Sequence, residues 1–329
     1  MTNRKKLYNI FQFLFNMLLG IKMKISRYSI VNITLFTILS VTWGFTWLCG
    51  KWQINNVIIP EFAVFYRFII ASFTIFLYLL ISKKYKKLLI SKKEFRIVFI
   101  YSAFAFSANF ILFYYAALHF VTGFSAIVFS FSIILSYVIG NWFFDFKNKI
   151  GKKLYISAAL GIIGLVCVMW PNLQNITNQS GVTKGFSLCL IATLSFVIGS
   201  VFYESKTKII KSNFIIIFFW CLVVGAFWSL TFGTIHTLID NREFVVIPVI
   251  NKYFVITLLY LAIPSSALGY LCFTVLIKRI GSVKASYSSL ISPIIAIAMS
   301  SSFENYKIGI YTFIGVAFVT LSKFIMFKK

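Results

Sequence analysis

Ten apolar runs, most of them near the length of a membrane-crossing helix, follow one another along this chain. They fall at about residues 30–49, 62–81, 97–117, 121–140, 154–170, 184–203, 213–238, 253–277, 282–301 and 308–327. About 20 apolar residues carry a helix across the hydrocarbon core. The runs are continuous rather than alternating, which selects helices over the strands of a barrel. Hydrophobic residues make up 60% of the chain and charged residues 12%, a balance that a water-facing surface cannot absorb. The tightest gap lies around Leu118, His119 and Phe120. The two runs it separates are together too long for one crossing, so they read as a hairpin.

The formal net charge of +25 raises nucleic acid as a partner, and the distribution of the charge removes it. The N-terminal stretch, every second gap and the C-terminal end together hold 26 Lys and Arg residues, whereas the alternate gaps hold five: Lys51, Lys184, Arg242, Lys252 and Lys307. That alternation is a topology signal rather than a phosphate-binding face. It predicts an even number of crossings and both termini in the cytoplasm, with the chain a multi-pass protein of a bacterial inner (cytoplasmic) membrane. The bilayer is then the partner the sequence specifies. A homodimer is not readable.

Residues 1–29 form an N-terminal extension. Leu7, Ile10, Phe11, Leu14 and Leu18 share one helical face, as in an interfacial helix. An over-extended start, with Met23 the true initiator, fits as well; a signal peptide fits less, because no small-residue cleavage site follows. The Asn-rich segment 171–183 divides the remainder into five runs at 30–170 and five at 184–327. An odd number of crossings per half means that related halves lie in opposite orientation, the inverted-repeat plan of many transporters. Sliding the chain by about 160 residues pairs Ser132 with Ser292, with few identities.

Five cysteines lie in or beside apolar runs without metal-ligand spacing, and the two histidines, His119 and His236, are far apart in sequence. No phosphate loop, dinucleotide glycine motif or zinc motif is present. The sequence therefore nominates no cofactor, metal or covalent nucleophile, and the expectation is a protein that is not an enzyme.

Several segments carry a family likeness. WGFTWLCGK (43–51) has a Lys eight residues after the Trp. IPEFAVFYRFIIAS (59–72) sets a Pro before an Arg-Phe pair. FYYAALHFVTGFSAIVFSFS (113–132) is a compact hairpin, matched in the second half by IKRIGSVKASYSSLISPIIA (277–296), with Glu304 as a closing acid. In this order the segments resemble the EamA-type branch of the drug/metabolite transporter superfamily, over residues 30–327. The chain departs from the family pattern at Ile133, Phe144, Phe303 and at Ser195–Phe196. The resemblance implies a ten-helix transporter, often an exporter of amino acids, metabolites or drugs, and leaves the substrate open.

Residues near mid-depth are the candidates for a solute site: Thr42 and Trp43, Asn109, Ser130 and Ser132, Ser195, Ser265 and Ser266, Tyr270, and Ser292 with Pro293. Polar groups at the midplane often line a water-filled site, although small residues also serve helix packing. Trp43 and Tyr270 offer an amphipathic wall for an organic solute. Arg67 lies about six residues into the second run. Placing Arg inside a membrane costs roughly 2.5–3.5 kcal/mol on insertion scales, so it is expected to bind an anionic group, a helix-end carbonyl or the interface. Lys51 reads as an interfacial anchor or a gate. Asp145 and Glu304 read as carboxylates placed before the fifth and tenth helices, at their positive ends.

The function expected is secondary transport of a small-molecule solute by alternating access, with export the expected direction. The solute-contacting set is Trp43, Arg67, Asn109, Ser130, Ser195, Tyr270 and Ser292. A non-transporting scaffold or accessory subunit is the alternative, and a membrane enzyme a weaker third. The acidic residues all fall in gaps or at run ends, so proton coupling is not expected.

Overall fold

A computed structural model of the chain describes residues 27–54, 59–83, 88–144, 152–173, 179–240, 252–286, 288 and 292–327. Every regular element among them is helical. The expectations for residues 1–26 and for Asp145 lie outside the described residues.

The helices are α1 (Arg27–Ile54), α2 (Pro60–Ile81), α3 (Lys92–Ala117), α4 (Thr122–Phe144), α5 (Lys152–Leu173), α6 (Gln179–Lys206), α7 (Phe214–Ile239), α8 (Lys252–Ile280), α9 (Ser292–Phe303) and α10 (Ile310–Phe327). Seven stretches, in α1–α4 and α6–α8, are long and apolar enough to cross a membrane, and shorter apolar stretches occupy α5, α9 and α10. Local chemistry sets several ends. Pro60 opens α2, where its missing N–H costs nothing. Ser91 and Glu94 form a reciprocal capping box at the start of α3. The Asn213 side chain caps α7. Gly281 ends α8 at φ 86°, a backbone region that disfavours other residues.

Three boundaries differ from the sequence reading. Helices α5 and α6 extend into both ends of the 171–183 segment, which is helical at 171–173 and from 179 onward. The expected single run at 282–301 is a helical turn, Ser282–Ala285, followed by α9. Helix α4 is likewise interrupted at Ser130–Phe131, where backbone bonds close three residues back and the Ser130 hydroxyl donates to the Ile127 carbonyl. Average apolarity hides such breaks, because the interrupting residues are themselves apolar or small.

The two halves repeat one another in detail. The helical stretches after the α3–α4 turn and after Gly281 begin at Thr122 and Ser282. The second number exceeds the first by 160. Both α3 and α8 contain a wider π-type stretch, Ala103–Ala108 and Leu261–Tyr270. In α8 this stretch holds Pro264, which has no N–H for the ordinary helical ladder. Packing follows the same rule: α1 lies on α8 and α9 as α6 lies on α3 and α4, while α2 meets α7, α4 meets α9 and α5 meets α10. Exchanging the halves leaves this pattern unchanged.

Packing relies on close backbone approach, as expected where lipid removes the hydrophobic drive between helices. At the α5–α10 crossing, a methyl added to Gly164 would sit 2.6 Å from the Gly315 carbonyl oxygen. Large apolar residues such as Phe73, Trp142 and Phe313 face outward, a surface suited to acyl chains.

Candidate functional site

A cavity lies between the halves. Helix α1 supplies Trp43, Trp47 and Lys51, four residues apart on one face. Helix α3 supplies Asn109, Phe110, Phe113, Tyr114 and Ala117, again one face of a helix. Arg67 comes from α2, Thr122, Ser125 and Phe129 from α4, Phe196 from α6 and Tyr270 from α8. The space open to the centres of water-sized molecules is about 40 Å³, room for a few waters.

Rings close one end of this space. Trp43 lies 5.1 Å from Tyr270 and 5.3 Å from Phe273 between ring centroids, and Tyr270 lies 4.4 Å from Phe106. Gly269 permits the approach of Trp43 to α8, since a methyl there would meet the indole nitrogen at 2.9 Å. Polar atoms fix the rings through the two π-type stretches. The Trp43 indole donates to the Ser265 carbonyl at 3.3 Å, and the Tyr270 hydroxyl to the Ala105 carbonyl at 2.6 Å.

Arg67 is fully buried. Its Nε donates to the Ser266 hydroxyl at 2.6 Å, Nη2 to the Ser265 hydroxyl at 2.8 Å and Nη1 to the Tyr114 hydroxyl at 3.4 Å. The guanidinium also lies 4.2 Å from the centroid of the Phe110 ring, a cation–π contact.

The opposite end of the cavity, beside the α3–α4 turn, is closed by charge. Lys51 Nζ lies 2.9 Å from Glu304 Oε1 and donates to the Phe120 carbonyl. Glu304 Oε2 accepts from the Thr122 amide and hydroxyl and from the Ser300 hydroxyl. Burial raises the Glu304 pKa, but the bonds from Ser300, Thr122 and Lys51 and the Lys51 charge outweigh burial and hold it below the ordinary carboxylate range. Glu304 thus sits at the positive end of α4, not of α10, because α10 begins only at Ile310. Lys51 is turned inward to this carboxylate rather than outward to the interface. At the same end, His236 lies 3.1 Å from Glu61 and 3.3 Å from Asp240, and the Tyr115 hydroxyl donates to Glu61. No group of three or more potential metal ligands occurs among the described residues.

Of the residues singled out from sequence, Trp43, Arg67, Asn109 and Tyr270 line the cavity together. Ser265 and Ser266 stand behind Arg67. Ser292 accepts from the Trp47 indole at 3.0 Å and so holds a lining residue. Ser195 donates to the Phe104 carbonyl. Ser130 borders a second, smaller cavity with Ser157 and Ser322. Thr42 bonds back to its own helix, and Ser132 is buried at the restart of α4. Trp47, Phe113, Tyr114, Phe129 and Phe196 were missed. The four-residue step from Trp43 points to Trp47, and the same step from Asn109 to Phe113, but apolar residues give no contrast in an apolar sequence.

Residues 31–170 and 183–328 match the EamA-like transporter family. An "Uncharacterized transporter" of Buchnera aphidicola subsp. Schizaphis graminum is 29% identical over 82% of this chain and 85% of its own. Protein PagO of Salmonella typhimurium is 23% identical over 84% and 86%. A solved crystal structure is similar in fold, with a TM-score of 0.63 and 10% identity over 90% of this chain and 96% of the other.

Proposed function

Because this chain belongs to the EamA-like transporter family, we propose that it is a secondary transporter, working by alternating access, that carries a small organic solute out of the cell. It crosses the inner membrane ten times, as two inverted five-helix repeats at 30–170 and 184–327, with 171–183 between them and both termini in the cytoplasm. The single observation that carries this reading is the cavity itself. It is lined from both halves, mainly by aromatic rings, with Arg67, Lys51 and Asn109 among its polar groups. Trp43, Arg67, Asn109 and Tyr270 contact the solute, while Ser195 and Ser292 brace the helices and rings around it and Ser130 supports the break in α4. Its small volume corresponds to a closed state, which a solute enters only when one end opens. In this orientation the Lys51–Glu304 end faces the periplasm.

The experiment is efflux profiling followed by counterflow. Metabolites retained by a strain lacking the protein are loaded into proteoliposomes containing it. Exchange of labelled for unlabelled solute, lost in Trp43→Ala, is the expected result. Protein that folds and inserts but exchanges none of them contradicts the proposal.

A further inference from the structure

We infer that Arg67 is an anion-binding centre and that the transported solute carries one carboxylate-type group on an apolar body. This inference rests on the transporter reading and adds the chemical class of the cargo. Four observations carry it. First, Arg67 is fully buried, yet no carboxylate lies within ion-pair distance of it among the described residues. Second, all three of its side-chain hydrogen bonds go to neutral hydroxyls, those of Ser266, Ser265 and Tyr114. A guanidinium has five N–H donors, so one remains on each terminal nitrogen. A carboxylate takes two donors from such a fork. Third, Arg67 lines the cavity, so this charge faces the proposed solute site. Fourth, the rest of the wall is mainly aromatic, with Phe110 against the guanidinium itself.

A buried charge kept among neutral partners is poorly compensated. The hydroxyls and the Phe110 ring hold the cation in place without neutralising it, which leaves its field for an incoming anion. Lys51, the other cation of the cavity, is already matched by Glu304. The Asn109 Oδ1 atom adds a second element. It is buried at the cavity and has no hydrogen-bond partner among the described residues, so it accepts a donor from the solute where the solute has one.

The test uses the full-length protein in proteoliposomes and in detergent, with three probes of one shape: 3-phenylpropanoate, its neutral amide and 3-phenylpropylamine. The expected result is that the anion alone raises the melting temperature, quenches tryptophan fluorescence and exchanges across the membrane. Arg67→Gln should weaken anion binding by about ten- to a hundredfold, the range of one charge-assisted interaction, and Arg67→Lys should weaken it less. The wild-type probe series needs no variant, so it decides the matter even where Arg67→Gln fails to fold. Exchange of the amine or amide in preference to the anion overturns the inference and leaves transport standing, while their preferential binding without exchange overturns it and counts against transport. Binding of the anion without exchange supports the anion site and counts against transport. Absence of binding by all three, or Arg67→Gln binding the anion like the wild type, overturns the inference.

Discussion

Lys51 on α1 and Glu304 beyond α9 form an ion pair 2.9 Å long that spans the closed end of the cavity, and the same carboxylate caps the first turn of α4. One side chain therefore ties together the two halves and both members of the α4–α9 pair. Glu304 holds four interactions; Gln in its place loses the charge and one acceptor oxygen, whereas removing Lys51 leaves three of the four. Glu304→Gln is expected to cost about 1–3 kcal/mol and Lys51→Met less, read as melting temperatures in detergent. The Glu304 pKa is lowered by folding, so its contribution is complete above the unfolded carboxylate range and fades as pH falls through the lower folded value. The gap between wild type and Glu304→Gln should stay constant from pH 7 to about pH 5 and shrink only in stronger acid.

The α5–α10 crossing is predicted to be intolerant of side chains. Gly164→Ala and Gly315→Ala each put a methyl against the opposite backbone. Each is expected to destabilise by about 1–3 kcal/mol, the usual range for overpacking, again read as melting temperature. Gly309→Ala, with nothing within 4 Å of the added atom, should change it by less than either.

Within the cavity, Trp43→Ala and Asn109→Ala are expected to reduce solute flux about tenfold or more at near-normal expression, because each removes a wall or a polar contact from the solute's position. Tyr270→Phe should instead lower stability by about 1–2 kcal/mol, since the Ala105 carbonyl loses its donor. Proteoliposome flux beside a melting curve separates the two effects.

Energy coupling is predicted to need no proton. Glu61, Glu94, Glu204, Asp240 and Glu304 all lie at helix ends, where Glu94 and Glu204 accept backbone amides from Ser212 and Ser282. Flux should follow the solute's own gradient with or without an imposed pH difference. Uphill accumulation driven by pH alone and abolished by a protonophore would contradict this, with the Glu61–His236 pair the first place to look.

Much of this architecture is legible in the sequence because membrane crossing imposes length and apolarity on each helix. Ser132 is where α4 resumes after its break. The interruptions in α4 and before α9 are not legible, since Ser130–Phe131 has no turn signature. The site divides in the same way. Trp43, Asn109 and Tyr270 stand out as polar or amphipathic groups near the middle of their runs, and Arg67 as a cation inside an apolar one. Phe113 and Phe196 do not, because one Phe among 39 carries no mark of which way it faces. Glu304 shows how a carboxylate close in sequence to one helix can serve another that folding brings beside it.

Alternation of access is most directly measured at Ala117, which lines the cavity near its Lys51–Glu304 end. Ala117→Cys, in a chain with Cys49→Ser and Cys167→Ser and its three buried cysteines retained, is treated with a membrane-impermeant maleimide from either face of oriented vesicles. The expected result is modification from both faces, faster from the periplasmic face in Glu304→Gln, and slower from both when solute is bound. Modification from one face only, unchanged in Glu304→Gln and by solute, would contradict alternating access through this cavity.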